Sequence, residues 1–357
     1  MSKSSEPLRI GVISGDGIGP EITKATQQVL EATSIPITWE YIDIGEGPTK
    51  KHGHPLPPET VAKLRSLRHV IKAPLVVNKL EGRFTCLQPD GRQITYPSLN
   101  NAIRRELGLF VNPRLIKGFP GVSGRHETLD VAIMREITED VYIGHEHQIG
   151  DDLAAEAIKL TTRGAATKVA EYAFEYARNN NRKRVTCLHK ANVLGLTDGL
   201  FLRCFQEVST KYPEIQADDM MIDAACYVIV RDPERFDVVV TANQYGDIFS
   251  DLAAGLAGSL GLASGANIGD GVSTYEACHG AAPDIAGQNI ANPLALILSI
   301  TQLLEAEGFR TEAAAIWQAT TEAVKARTHL TSDLGGSGST SGLAQAVGSK
   351  VKEILHL

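Results

Sequence analysis

No C-x-x-C spacing occurs in this sequence: its five cysteines (Cys86, Cys187, Cys204, Cys226, Cys278) are scattered and odd in number. Zinc and disulfide frameworks are therefore unsupported, and a reducing compartment is the default. No apolar run approaches the roughly 18 residues of a membrane span. The opening residues, MSKSSEPLRIGVISGDG, enter a strand near residue 8 with neither an apolar signal core nor an Arg-rich leader. A soluble, cytoplasmic protein is the expectation. Runs of five or six like charges are also missing, and 35 Lys+Arg against 42 Asp+Glu leave a net charge of −7, which disfavours a nucleic-acid partner. Glycine is a little abundant, at 33 of 357 residues, beside 43% hydrophobic and 22% charged residues. That balance suits a loop-rich enzyme, of two domains or one large α/β unit with an inserted lobe.

The chain is organised around NQYGDIFSDLAAGLAGSLGLASGANIGDG, residues 243–271. An apolar strand, FDVVVT, runs into a helix that carries Asp247 and Asp251 on one face, one turn apart. Acids in a first helical turn can simply answer the helix dipole. Here no further charge follows until Asp270, so the pair is expected against buried backbone, where two acids are costly unless a cation joins them.

At the N-terminus LRIGVIS and GDGIGPEI read as strand, glycine turn and helix. Gly15, Gly17 and Gly19 are spaced G-x-G-x-G, and Pro20 removes a backbone donor, so a standard dinucleotide fingerprint fails in detail. A hairpin-like excursion is expected from 79 to 96, turning at Pro89-Asp90-Gly91. Ser98-Leu-Asn100 then caps a helix bearing Arg104; Arg114 follows in NPRLIKG, and Arg135 ends the strand VAIMREI. Each of these arginines lies beside apolar sequence, and arginine clamps carboxylates with paired donors. With Ser98 and Asn100 they describe a di- or tricarboxylate site, against the alternative of unrelated surface pairs. Apolar steps of three and four predict a long helix from about Asp152 to Asn179. Lys190 closes the strand VTCLHK and is either an exposed terminus or a desolvated base. The segment YEACHGAAPDIAGQNIANP reads as a loop of functional type.

In order along the chain, GDGIGPE, the Ser98/Asn100/Arg104/Arg114/Arg135 set, R-E-x-T-E-D-x-Y-x-G-x-E-H, HKAN, N-x-Y-G-D-I-x-S-D, GANIGD and HGAAPDIAGQNIANP resemble the metal-dependent β-decarboxylating dehydrogenases, the isocitrate, isopropylmalate and homoisocitrate dehydrogenases. The resemblance implies a non-Rossmann α/β fold with a large cofactor-binding domain (1–109 and 258–357) and a smaller domain (110–257) with a dimer-forming clasp or arm at about 140–184. A homodimer with shared active sites follows. By the same resemblance Asp247 and Asp251, with Asp223 of the partner subunit, hold Mg2+ or Mn2+. The partner's Lys190 accepts the hydroxyl proton and Tyr142 protonates the enol carbon. Arg104, Arg114 and Arg135 hold carboxylates, with Ser98 and Asn100 on the γ-carboxylate.

The cofactor implied is NAD, with Asn78, His279, Gly280, Ala281, Ala282, Asp284, Ile285 and Asn292 around it. Where NADP-dependent relatives have Lys-Tyr, this chain has Asp284-Ile285, and a carboxylate accepts ribose hydroxyls but repels a 2′-phosphate. The expected reaction is NAD-dependent oxidative decarboxylation of a 3-substituted malate, isocitrate to 2-oxoglutarate first. Homoisocitrate, 3-isopropylmalate or phosphonomethylmalate are alternatives, and a non-catalytic regulatory subunit is the remote one. The sequence departs from the family's pattern at Asn78, Ile137 and His145 and throughout 79–96, where Arg83 or Arg92 is expected to meet a larger anionic substituent.

Overall fold

The computed structural model describes residues 6–45, 47–49, 53–76, 84–87, 91–122 and 124–357. Fourteen strands are defined among them: β1 Leu8–Ile13, β2 Ile37–Tyr41, β3 His69–Lys72, β4 Phe84–Leu87, β5 Gln93–Tyr96, β6 Leu109–Lys117, β7 Asp130–Glu136, β8 Glu146–Ile149, β9 Ala154–Ala157, β10 Arg184–His189, β11 Gln216–Met221, β12 Val238–Thr241, β13 Ser264–Gly269 and β14 Ser273–Ala277. Ten of them form one sheet in the order β11-β10-β12-β7-β6-β13-β14-β3-β1-β2. The outer strands pair in parallel. At the centre β13 is antiparallel to β14 and β6, and β6 to β7.

Strand alternation fills both faces. Val238 and Val240 of β12 join Phe174, Phe205 and Val185 in one core, whereas Val239 joins Ile229, Phe249 and Ile133 in another. The first of these cores lies under the helices Arg163–Asn179 and Thr197–Ser209. In the other half of the sheet, the helices Gly19–Glu31, Leu294–Ala306, Arg310–Lys325 and Thr340–Leu355 cover Ile10, Ile71 and Tyr275.

Two sequence expectations change. The Asp152–Asn179 segment is not one helix. Residues 146–157 form the exposed antiparallel hairpin β8–β9, and the helix begins only at Arg163, capped by Thr162, whose hydroxyl accepts the Ala165 N–H at 3.3 Å. Positive φ at Gly150 and Asp152 makes the turn. Leu153, one of the apolar residues in that spacing, is 81% exposed. The glycine-rich stretch after Leu262 and the start of YEACHG are the central strands β13 and β14. The small residues of β13 hide its strand pattern because the Leu294–Ala306 helix packs close: Ser299 accepts the Gly265 N–H at 3.1 Å. The β4–β5 hairpin lies within the expected 79–96 excursion.

The glycine turn is a packing device. A Cβ at Gly15 would stand 2.3 Å from the Pro74 carbonyl oxygen, and one at Gly17 only 2.0 Å from that of Ala281. The turn thereby binds the 279–285 loop, with the Ile18 N–H donating to the Ala281 carbonyl at 2.9 Å. Among the described residues, Cys187, Cys204, Cys226 and Cys278 are free thiols, and no helix is long and apolar enough to cross a membrane.

Candidate active site

The site begins where β12 ends. The helix Asn243–Ala257 starts without a side-chain cap of its own; Asp140 Oδ2 instead accepts the Gln244 N–H at 2.9 Å. Gly246 is needed there because a Cβ would come within 2.7 Å of Arg135 Cγ. Arg135, on β7, can thus lie along the helix start, donating to Asn243 Oδ1 (3.0 and 2.8 Å) and to Asp247 Oδ1.

Arg114, on β6, converges from the neighbouring strand. It donates to Asn112 Oδ1 (2.7 Å), Ser250 Oγ (2.5 Å), Asp247 Oδ1 (3.1 Å) and Asp251 Oδ1 (3.3 Å). The Tyr142 hydroxyl donates to the other Asp247 oxygen at 2.7 Å, and its ring lies 5.4 Å from the Arg135 guanidinium. Arg104 reaches Glu276 at 3.4 Å. Ser98 caps its helix by accepting the Asn101 N–H at 3.1 Å, so its own O–H is left to donate. Asn101 in turn donates to the Tyr142 carbonyl at 3.1 Å.

Arg104, Arg114, Arg135, Tyr142, Asp247, Glu276, Asn101 and Asn112 line one cavity of about 290 Å³, with Ser98, Asn100, Lys72, His279 and Gly280 also on its wall. Its electrostatics follow from the pairing. Burial acts to raise the Asp247 carboxyl, but Arg135, Arg114 and the Tyr142 hydroxyl outweigh it and hold it below the usual range. Asp251 is raised, by burial and then by Asp247. Burial, then Arg114 and Arg104, bring Arg135 down to about 9, still charged at neutral pH. Burial and the hydrogen bond to Asp247 push Tyr142 up to about 12, so it holds its proton.

Of the residues named from sequence, Ser98, Asn100, Arg104, Arg114, Arg135, Tyr142, Asp247, His279 and Gly280 line this cavity. Asp251 joins it through Arg114, but its side chain is 57% exposed, more open than the surrounding sequence predicts. Lys190 and Asp223 do not line it. They pair with each other at 2.7 Å elsewhere on the chain, Asp223 65% exposed. Among the described residues no three His, Cys, Asp or Glu side chains gather as a metal cage. The two carboxylates one turn apart nevertheless present the hard oxygen donors that Mg2+ or Mn2+ takes.

His279 Nε2 and Asn100 Oδ1 are buried without a hydrogen-bond partner, a state that ligands or water normally relieve. Burial lowers the His279 pKa, so its ring is neutral. Ala282 takes φ 37 and Asp284 is exposed beside Ile285 in the one-turn helix Pro283–Ile285. The Asn292 side chain is committed to structure: it donates to Asp333 at 2.9 Å and accepts the Leu294 N–H at 2.9 Å. Asn78 and Arg83 lie outside the described residues. Arg92 is exposed just before β5, away from the cavity wall.

Sequence reasoning passed over Glu276 and Lys72. Glu276 lies between Lys72 (2.5 Å), Arg104 and Asn267 (2.7 Å), and Lys72 foremost, then Arg104, bring its carboxyl to about 2 against the opposing effect of burial. The lysine within buried HVIKAPL was the available signal. Asn243, directly before Gln-Tyr-Gly-Asp, was another.

A mixed sheet whose central cleft gathers three arginines, a tyrosine and an aspartate is the framework of the dehydrogenases that oxidise and decarboxylate hydroxy acids. The chain belongs to the isocitrate/isopropylmalate dehydrogenase family, whose model matches residues 9–347. It is 42% identical over 337 residues to the probable isocitrate dehydrogenase [NAD] subunit alpha, mitochondrial, of Drosophila melanogaster, spanning 94% of this chain and 85% of that protein. It is 43% identical over 341 residues to the 3-isopropylmalate dehydrogenase of Archaeoglobus fulgidus, spanning 96% and 98%. The crystal structure of isocitrate dehydrogenase from Methylococcus capsulatus matches with a TM-score of 0.87 at 40% identity, over 96% of this chain and 99% of that one.

Proposed function

We propose that this protein catalyses the NAD- and divalent-metal-dependent oxidative decarboxylation of a 3-substituted malate, with isocitrate as the first choice. The observation that carries the reading is the convergence of Arg104, Arg114, Arg135 and Tyr142 on one cavity beside Asp247. Relatives named for isocitrate and for 3-isopropylmalate are equally similar, so the choice rests on the cavity. Among the described residues its wall offers Ser98, Asn100 and cationic side chains, with Leu75 the one large aliphatic group; an anionic or polar substituent fits better than an isopropyl group.

In this reading Arg104, Arg114 and Arg135 bind and orient the substrate carboxylates by charge-assisted hydrogen bonds. Ser98 and Asn100 hold the substituent at C3. Asp247 and Asp251, with Asp223 of a second copy, would hold Mg2+ or Mn2+, which when bound polarises the substrate's hydroxyl and carboxylate oxygens. Lys190 of that copy takes the hydroxyl proton as hydride leaves C2. After CO2 departs, Tyr142 returns a proton to the carbon that lost it. The 279–285 loop receives the dinucleotide, with Asp284 on the adenosine ribose hydroxyls. The two-lobed division at 109/110 and 257/258, the homodimer and its arm at the β8–β9 hairpin belong to this same proposal.

The test is a panel of isocitrate, homoisocitrate, 3-isopropylmalate, tartrate, D-malate and phosphonomethylmalate with NAD+ and Mg2+. Isocitrate is expected to give the highest kcat/KM. A best substrate with an apolar C3 group would overturn the assignment of Ser98 and Asn100, and no turnover with any member would overturn the reaction.

A further inference from the structure

Two buried carboxylates outside the cavity share a single lysine. Lys159, between β9 and the Arg163–Asn179 helix, places Nζ 2.9 Å from Asp198 Oδ1 and 3.4 Å from Asp140 Oδ1. It also lies 4.3 Å from the centre of the Tyr245 ring. The side chains of Asp140 and Asp198 are 1% and 2% exposed. Each aspartate also holds backbone beside a functional residue. Asp140 accepts the N–H of Val141 at 2.8 Å and of Gln244 at 2.9 Å, tying the Tyr142 turn to the helix that carries Asp247. Asp198 accepts the N–H of Lys190 at 2.7 Å.

Asp140 does so from φ 72, ψ −158, a conformation that persists only where its surroundings over-determine it. Without the ammonium group, two buried carboxylates lose their cation and must protonate or move. Either response loosens their hold on the three N–H groups. The arginine clamp keeps anchors away from these turns, Arg104 on Glu276 and Arg114 on Asn112, besides the bonds of Arg114 and Arg135 to Asp247 and Asn243 on the helix that Asp140 holds.

We infer that Lys159 is a positioning residue that sets the Tyr142 turn and the Lys190 turn in register within one protomer. It thereby links the proton donor of its own cavity to the lysine that this protomer lends to the second copy. The inference deepens the proposed function and rests on its shared site.

Mixed dimers carrying two affinity tags separate the two ideas. A dimer of a Tyr142→Phe protomer with a Lys190→Met protomer keeps one site with both groups intact. If it is no more active than either parent, the shared site is wrong and this inference falls with it. Given activity, Lys159→Met in the Tyr142→Phe protomer reaches the live site only through Lys190. In the Lys190→Met protomer it reaches that site only through Tyr142. Either placement is expected to lower kcat about tenfold or more while substrate KM stays within about twofold, and Lys159→Arg is expected to restore at least about half of the lost rate. Lys159→Gln replaces the Met variant should the latter fail to fold. Loss from only one placement, a KM that rises as kcat falls, or an Arg variant as impaired as the Met variant would each overturn the inference.

Discussion

The Tyr142 hydroxyl donates to Asp247 Oδ2 at 2.7 Å while Arg114 donates to Asp247 Oδ1 at 3.1 Å, so one carboxylate holds both the tyrosine and an arginine of the cavity. Removing the phenolic oxygen should spare the clamp. Tyr142→Phe is expected to lower kcat by about a hundredfold or more with substrate KM within about threefold. Steady-state kinetics decide it, and a rise in KM alone would make Tyr142 a binding residue.

Glu276 offsets Lys72 and Arg104 in a site where its side chain is 12% exposed. Glu276→Gln leaves two cations without their anion and should cost on the order of 3 kcal/mol. The pH dependence has a definite sign. A carboxyl brought down to about 2 in the fold, from about 4.3 unfolded, adds stability that is complete above the unfolded value. That contribution drains away as pH falls from there towards about 2. Urea unfolding should therefore show a wide gap between wild type and variant at pH 7 that narrows below about pH 4. A gap independent of pH would contradict it.

At Gly17, φ is +59 and an added Cβ would meet the Ala281 carbonyl oxygen at 2.0 Å. Gly17→Ala must push the 279–285 loop away. It is expected to raise KM for NAD+ about tenfold, roughly 1.4 kcal/mol, and to leave substrate KM nearly unchanged. Unchanged KM for NAD+ would detach this loop from the cofactor.

Asp284 is exposed, and under the proposed function its carboxylate accepts the adenosine ribose hydroxyls and repels a 2′-phosphate. NAD+ should exceed NADP+ by about a hundredfold or more in kcat/KM, roughly 2.7 kcal/mol. The double change Asp284→Lys with Ile285→Tyr should move preference towards NADP+. Equal rates with both cofactors in the wild type would remove Asp284 as the selector.

Much of this site was legible because local pattern and tertiary structure agree. FDVVVT alternates into two cores, its helix follows directly, and arginines embedded in buried strands had few places to point except the cleft. The reading failed where that agreement breaks. Residues 152–162 carry helix-like apolar spacing, but turn geometry at Gly150 and Asp152 and pairing with β8 override it. Strand β13 is built mostly of small residues that fit beneath a helix, so it lacks the run of branched side chains that marks a strand, and the short β14 runs directly into turn formers. The Lys72–Glu276 pair joins residues 204 positions apart, and nothing local in either segment announces the other.

Measuring NADH formation and CO2 release together, with isocitrate and NAD+, before and after chelation decides whether the protein is a metal-dependent decarboxylating dehydrogenase. The expected result is one CO2 per NADH, both lost when divalent cations are removed and both restored by Mg2+ or Mn2+. NADH without CO2, or an undiminished rate in the chelated protein, would contradict it.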